Sequence, residues 1–160
     1  MEQAHDSDLW IAEFLAQIVA VDASHFPRRY KPVIRAAPRV GDVYWCAFND
    51  RRDIALPEMW KTRPCVIVSR RNTLHGKVTV LPFSTARSNE TDPMAIETSR
   101  AVQERLDNRR SWILCDHPCT VATSRLRQVR GQVPKLSSKE RQSVLTLMSQ
   151  ALAAPLKDCS

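Results

Sequence analysis

Arg63-Pro64 stands immediately before the apolar run Cys65-Val66-Ile67-Val68. Proline drives the preceding residue into extended backbone, so Arg63 is presented at the mouth of a strand. There its planar fork can take phosphate oxygens, or stay solvated like any surface arginine. A permanently charged donor suits the charge that builds on phosphate oxygens during phosphodiester cleavage. Ser84 and Thr85 follow Val80-Leu81-Pro82-Phe83; hydroxyls at a strand end can donate to a phosphate, position a ribose, or cap local backbone. Cys115-Asp116-His117-Pro118-Cys119 sets a carboxylate beside an imidazole, and an imidazole with its ordinary pKa of about 6.5 suits proton transfer. On a regular strand Asp116 and His117 point to opposite faces, so at most one enters a common site. His117 reads equally well as a structural histidine. Glu58, five residues before Arg63, can accept a proton or hold Arg63 in position. The stretch 49–62 interleaves Arg51, Arg52 and Lys61 with Trp60. Such a pattern suits single-stranded nucleic acid, with cations tracking the backbone and the indole stacking on an unpaired base. The alternative makes Trp60 a lid over an apolar core.

Other chemistries find less support. The candidate metal ligands Cys115, His117 and Cys119 share one face only if a strand runs through Pro118, and no second ligand pair has metal-site spacing. No metal is expected. Three glycines (Gly41, Gly76, Gly131) cannot build a phosphate-cradling loop or a dinucleotide fingerprint, so no cofactor is expected either. The five cysteines form no disulfide framework and read as reduced thiols. None sits in an evident environment that would activate it as a nucleophile.

These residues need elements to hold them. Val43–Phe48, Pro64–Ser69 and Val78–Phe83 are short β-branched and aromatic runs that read as consecutive strands. Further strands are expected at Met94–Thr98, Trp112–Cys115 and Gln128–Val133, after a polar loop at Ala86–Pro93. Ser137-Ser138-Lys139-Glu140 opens a final helix, Lys139–Ala153, with Val144, Leu145, Met148, Ala151 and Leu152 on one stripe. Residues 8–21 space Leu9, Trp10, Phe14, Leu15, Ile18 and Val21 as a helix, and the prolines of 25–39 make an extended linker. The expected division is therefore 1–38, helix plus linker, and 39–160, one small β-rich domain. With 160 residues the chain has room for one ordinary core. The net charge of +7 is uneven: residues 1–38 carry four basic and five acidic residues (−1), leaving twenty against twelve (+8) for the rest. A basic domain favours nucleic acid or an acidic protein partner. An acidic N-terminus and the lack of a membrane-length apolar run point to a cytoplasmic protein with no membrane contact.

Arg39-Val40-Gly41-Asp42-Val43 entering the first strand, Glu58 with Lys61-Thr62-Arg63-Pro64 entering the second, Pro82-Phe83-Ser84-Thr85 leaving the third, and Cys115-Asp116-His117-Pro118 leaving a later one together resemble the PemK/MazF family of toxin ribonucleases, from about Arg39 to Ala153. The resemblance implies an α+β fold: an SH3-like small barrel of antiparallel strands with a C-terminal helix, usually a homodimer. Here an N-terminal helix is added. It also implies that Arg63 is catalytic, and that Ser84, where threonine is usual, or Thr85 orients the phosphate. Asp116 is implied as general base at the ribose 2′-hydroxyl, with Glu58 or His117 assisting. The arginine found two positions before that acid in some members is Leu114 here, and His117 stands where glutamine is more common. The implied function is a toxin endoribonuclease cutting single-stranded RNA, such as mRNA, by metal-independent 2′-hydroxyl attack. Arg51, Arg52, Trp60 and Lys61 are the expected RNA contacts, and an acidic antitoxin is the expected regulator. A non-catalytic nucleic-acid or partner-binding module on the same barrel is the alternative, and a gyrase-poisoning toxin of related fold ranks below both.

Overall fold

The computed structural model describes residues 31–48 and 59–152. The expected helix at 8–21, together with Arg51, Arg52 and Glu58, lies outside the described residues. Seven strands are present: β1 Val43–Ala47, β2 Thr62–Ile67, β3 Lys77–Ser84, β4 Ala95–Glu97, β5 Trp112–Leu114, β6 Cys119–Ala122 and β7 Leu126–Arg127. Among the described residues two helices accompany them, α1 Arg100–Arg105 and α2 Ser138–Ala151. All pairings are antiparallel, in the order β4-β5-β3-β2-β1-β7, with β6 also on β3.

Strand periodicity places alternate residues on the two faces of this sheet, and both faces are buried. Val43, Val66, Leu81, Phe83 and Ile113 face one core, covered by Val102 of α1 and Val144 of α2. Tyr44, Cys46, Cys65, Ile67, Val78 and Val80 face the other, closed by Leu126 and by Ile34 from the irregular segment ahead of β1. A capping box starts α2: Ser137 Oγ accepts from the Glu140 amide at 3.2 Å and Glu140 Oε2 accepts from the Ser137 amide at 2.7 Å. This satisfies two orphan donors of the first turn, as the sequence pattern indicates.

The expected barrel does not close. Its path ends at β4 and β7, and β6 passes to β7 through a 3-10 turn, Thr123–Arg125, rather than a ladder. Side chains of that turn bond carbonyls near the start of β3 and the end of β1. Thr123 Oγ1 donates to Leu74 O at 2.6 Å, and Arg125 donates to the carbonyls of Ala47 and Phe48.

One smaller expectation is also corrected. Gln128–Val133 is irregular, because Arg105 Nη2 donates to the carbonyl of Gln132 at 2.7 Å and lies against Gly131, which adopts φ +81°. A β-carbon at Gly131 would sit 2.9 Å from that nitrogen, the movable end of a flexible side chain, so it is the positive φ that calls for glycine. The polar segment Ala86–Pro93 contains a 3-10 turn at Arg87–Thr91.

Candidate active site

β3 is the axis of the site. β2 runs along it with Cys65 opposite Pro82, Val66 opposite Leu81 and Ile67 opposite Val80. Continued by two residues, this register sets Arg63 level with Ser84, and alternation puts both on the same face as Cys65 and Pro82. β5 and β6 follow one another along β3. Trp112 lies opposite Ser84 and Ile113 opposite Phe83, and after an interval Cys119 lies opposite Val80. The turn 115–118 spans that interval, beside Leu81-Pro82. Pro82 has no amide hydrogen to give a ladder, so it falls naturally where β3 changes partner.

Arg63 is half-buried, and its Nε donates to Trp60 O at 3.2 Å. That bond fixes the stem of the guanidinium and leaves both terminal nitrogens unspent by it. The preceding Lys61 adopts φ 68°, an uncommon conformation for a residue with a β-carbon, and its carbonyl accepts from the Phe48 amide at 3.1 Å. Trp60 is 37% exposed and belongs to neither core, so the lid alternative does not describe it. Lys61 Nζ lies 3.8 Å from its ring centroid, a cation–π contact that covers one indole face.

Ser84 closes β3, where its Oγ accepts from the Ala86 amide at 3.3 Å. The hydroxyl hydrogen stays available for donation. Thr85 is exposed beyond the strand end.

Asp116 and His117 are not on a strand. They occupy the turn between β5 and β6, where the opposite-face rule has no force, and their side chains meet: His117 Nδ1 lies 2.6 Å from Asp116 Oδ1, each side chain 37% exposed. The turn is held by Cys115 N donating to Met94 O at 2.9 Å and by Cys119 Sγ donating to the His117 carbonyl at 3.4 Å. Cys115 packs in one core and Cys119 against the other, so these thiols do not converge with His117. No cluster of three or more histidine, cysteine or acidic residues suited to a metal occurs among the described residues. Burial, with Asp116 and Asp92 adding, pushes the Cys115 thiol up to about 12, and burial with a Cys46 hydrogen bond raises Cys65 well above the ordinary thiol value. Neither offers a ready thiolate nucleophile.

One feature near the site is not marked by the sequence pattern. Arg110 forks onto Glu97 at 2.6 and 2.8 Å, reaches Glu90 at 2.7 Å, and stacks 5.0 Å from the centroid of Trp112, the residue opposite Ser84. It ties the segment after Ser84-Thr85 to β4 and β5, through partners 13 and 20 residues away. The Arg39-Val40-Gly41-Asp42 motif proves architectural. Gly41 takes φ +89°, Asp42 Oδ2 accepts from the Arg39 amide at 2.9 Å, and Lys135 Nζ pairs with Asp42 at 3.6 Å.

Residues 39–150 match the profile of the PemK-like, MazF-like toxins of type II toxin–antitoxin systems. Among solved structures, the chain is similar to an endoribonuclease in complex with its cognate antitoxin from a mycobacterial species, at 21% identity over 74% of this chain and 98% of that one, TM-score 0.51. It is also similar to MazF from Deinococcus radiodurans, at 15% identity over 75% and 100% of the two chains, TM-score 0.56. At these identities the likeness is one of fold. Comparison with curated proteins gives no match. No helix among the described residues is long and apolar enough to cross a membrane.

Proposed function

The chain belongs to the family of PemK-like, MazF-like toxins of type II toxin–antitoxin systems, and from that premise we propose that it is an endoribonuclease cutting single-stranded RNA without a metal. The ribose 2′-oxygen attacks the adjacent phosphorus and the 5′-oxygen leaves, giving a 2′,3′-cyclic phosphate and a 5′-hydroxyl. An internal nucleophile removes the need for a thiolate or a metal-bound hydroxide.

One observation carries the reading: Arg63 stands level with Ser84 at one end of β3, while the Asp116–His117 turn flanks the same strand. A guanidinium, a hydroxyl and a proton-transfer pair are the groups that a phosphodiester transfer uses. Arg63 stabilises charge on the phosphorane, Ser84, with its hydrogen free, orients the phosphate in preference to Thr85, and the Asp116–His117 turn handles the 2′-hydroxyl proton. Glu58, five residues before Arg63 in sequence, assists from the loop it shares with the RNA-contacting Arg51, Arg52, Trp60 and Lys61. The active form is a homodimer in the cytoplasm, restrained by an acidic antitoxin attracted to the basic domain.

A non-catalytic binding module is the competing reading. It draws on Leu114, which is buried where some relatives have arginine. Incubating the purified protein with a long single-stranded transcript in EDTA separates the two. Cleavage abolished by Arg63→Ala supports the nuclease; binding with no cleavage supports the module.

A further inference from the structure

We infer that His117 Nε2, rather than the Asp116 carboxylate, accepts the ribose 2′-hydroxyl proton, and that Asp116 is a positioning residue. The inference rests on the nuclease reading above and assigns the proton within it.

The first step concerns the tautomer. His117 Nδ1 lies 2.6 Å from Asp116 Oδ1, and an ionised carboxylate only accepts hydrogen bonds, so Nδ1 carries the hydrogen. In the neutral imidazole Nε2 is then the bare, basic nitrogen. Oδ1 is meanwhile committed to holding the ring.

The second step concerns sides. In-line displacement keeps the attacking and leaving oxygens on opposite sides of phosphorus. Two groups bonded to each other at 2.6 Å form one unit and serve one of those sides. Arg63, from β2, flanks β3 on the edge away from β6. It has five donors and no acceptor, so it cannot take a proton. Acceptance is assigned to the turn, and within the turn to Nε2, because an imidazole nitrogen is ordinarily a stronger base than the carboxylate oxygen that remains. The proton moves from the 2′-oxygen to Nε2 as the new P–O2′ bond forms; the P–O5′ bond breaks beside the Arg63 charge, and the 5′-oxygen is protonated by water. The imidazolium returns its proton to solvent, so the reaction is proton-neutral overall. While charged, the ring is stabilised by the adjoining carboxylate. This arrangement also gives His117 a task that glutamine at the same position could not perform.

Among the described residues, the titratable groups that act on this turn are Asp116 itself, the thiols of Cys115 and Cys119, Asp92 near Cys115, and the Cys46 and Cys65 thiols near Cys119. Burial raises the Cys115 and Cys119 thiols, so neither is anionic near neutrality. Asp116 is the group in contact with the ring.

The test is the pH dependence of cleavage of a long single-stranded transcript by the full chain and by Asp116 and His117 variants, with melting curves and RNA binding measured alongside. In the wild type kcat shows an acidic limb, as general-base catalysis requires. In His117→Gln, which keeps a hydrogen-bonding amide, kcat falls by about 10²–10⁴ and the acidic limb disappears while KM stays within about threefold. In Asp116→Asn, which keeps an oxygen to hold the ring, the acidic limb remains and the loss of rate is smaller than in His117→Gln. Added free imidazole restores rate to His117→Ala. A His117→Gln enzyme with normal rate and limb, or loss of the limb in Asp116→Asn instead, overturns the assignment and leaves the nuclease reading standing. A wild-type protein that binds the transcript and never cuts it overturns both.

Discussion

Replacing Arg63 by alanine removes a charged donor while disturbing little else. The guanidinium spends Nε on Trp60 O at 3.2 Å, on the exposed surface, and keeps both terminal nitrogens for a phosphate. Losing that one bond costs about 0.5–1.5 kcal/mol of stability, a melting shift of several degrees at most for a domain of this size. The β2 backbone pairing with Cys46 is unaffected by the side chain. The catalytic loss is larger. A donor aimed at charge that develops in the transition state is worth about 2.7–4 kcal/mol, or roughly 10²–10³ in rate. Because the interaction strengthens as phosphorane charge grows, the loss falls on kcat more than on KM. Arg63→Lys keeps the charge and loses the fork, so its rate lies between those of wild type and alanine. Initial rates on a long transcript, beside melting curves, measure both quantities. An alanine variant within about threefold of wild type, or one whose rate loss tracks unfolding, refutes the role given to Arg63.

Three further outcomes are expected. Ser137→Ala should cost about 1 kcal/mol by removing one side of the α2 capping box. Partial burial pushes the Glu140 carboxyl up, but hydrogen bonds from Ser137 and Ser99 bring it below the ordinary value; a depressed folded pKa contributes stability above the unfolded value of about 4.3, lost as pH falls through the folded value. Urea unfolding of Ser137→Ala should therefore show a smaller acid-side loss than wild type, and an equal loss contradicts it. Ile34 is 5% exposed, so Ile34→Ala should destabilise by about 2–4 kcal/mol; a change under about 0.5 kcal/mol by chemical denaturation means that its burial is inconsequential. RNA affinity should fall steeply with salt, and reversing Arg51 and Arg52 to glutamate should weaken binding and flatten that dependence with little change in melting temperature. Unaltered binding removes the loop from the RNA-contacting surface.

Regular features of this fold were legible where one local signal was enough. The β-branched runs around Val43, Val66 and Val80 announce their strands, and Ser137 with Glu140 announces α2. Elements set by distant partners were not. Nothing local in Gln128–Val133 shows that Arg105 will take the Gln132 carbonyl, and β6 begins at Cys119 directly after the proline that argues against a strand. Ile34 sits in a proline-rich stretch that reads as linker, yet it packs with Cys65 and Val80, residues more than thirty positions away. At the site, Arg63 and Ser84 were visible as residue types at strand ends. Their shared level follows from a register that no single strand contains. On a strand Asp116 and His117 would face apart; the turn after Leu114 instead brings these neighbours together. Arg110 stayed unremarked because its carboxylate partners are remote in sequence.

The chemistry of the cut ends tests the central claim most directly. A long single-stranded transcript is incubated with the full chain in EDTA, and the new termini are typed by their susceptibility to 5′-kinase and to enzymes that open cyclic phosphates. A 5′-hydroxyl facing a 2′,3′-cyclic phosphate, formed with EDTA present and absent with Arg63→Ala, is the predicted result. A 5′-phosphate with a 3′-hydroxyl, or cleavage that EDTA abolishes, contradicts the 2′-oxygen mechanism.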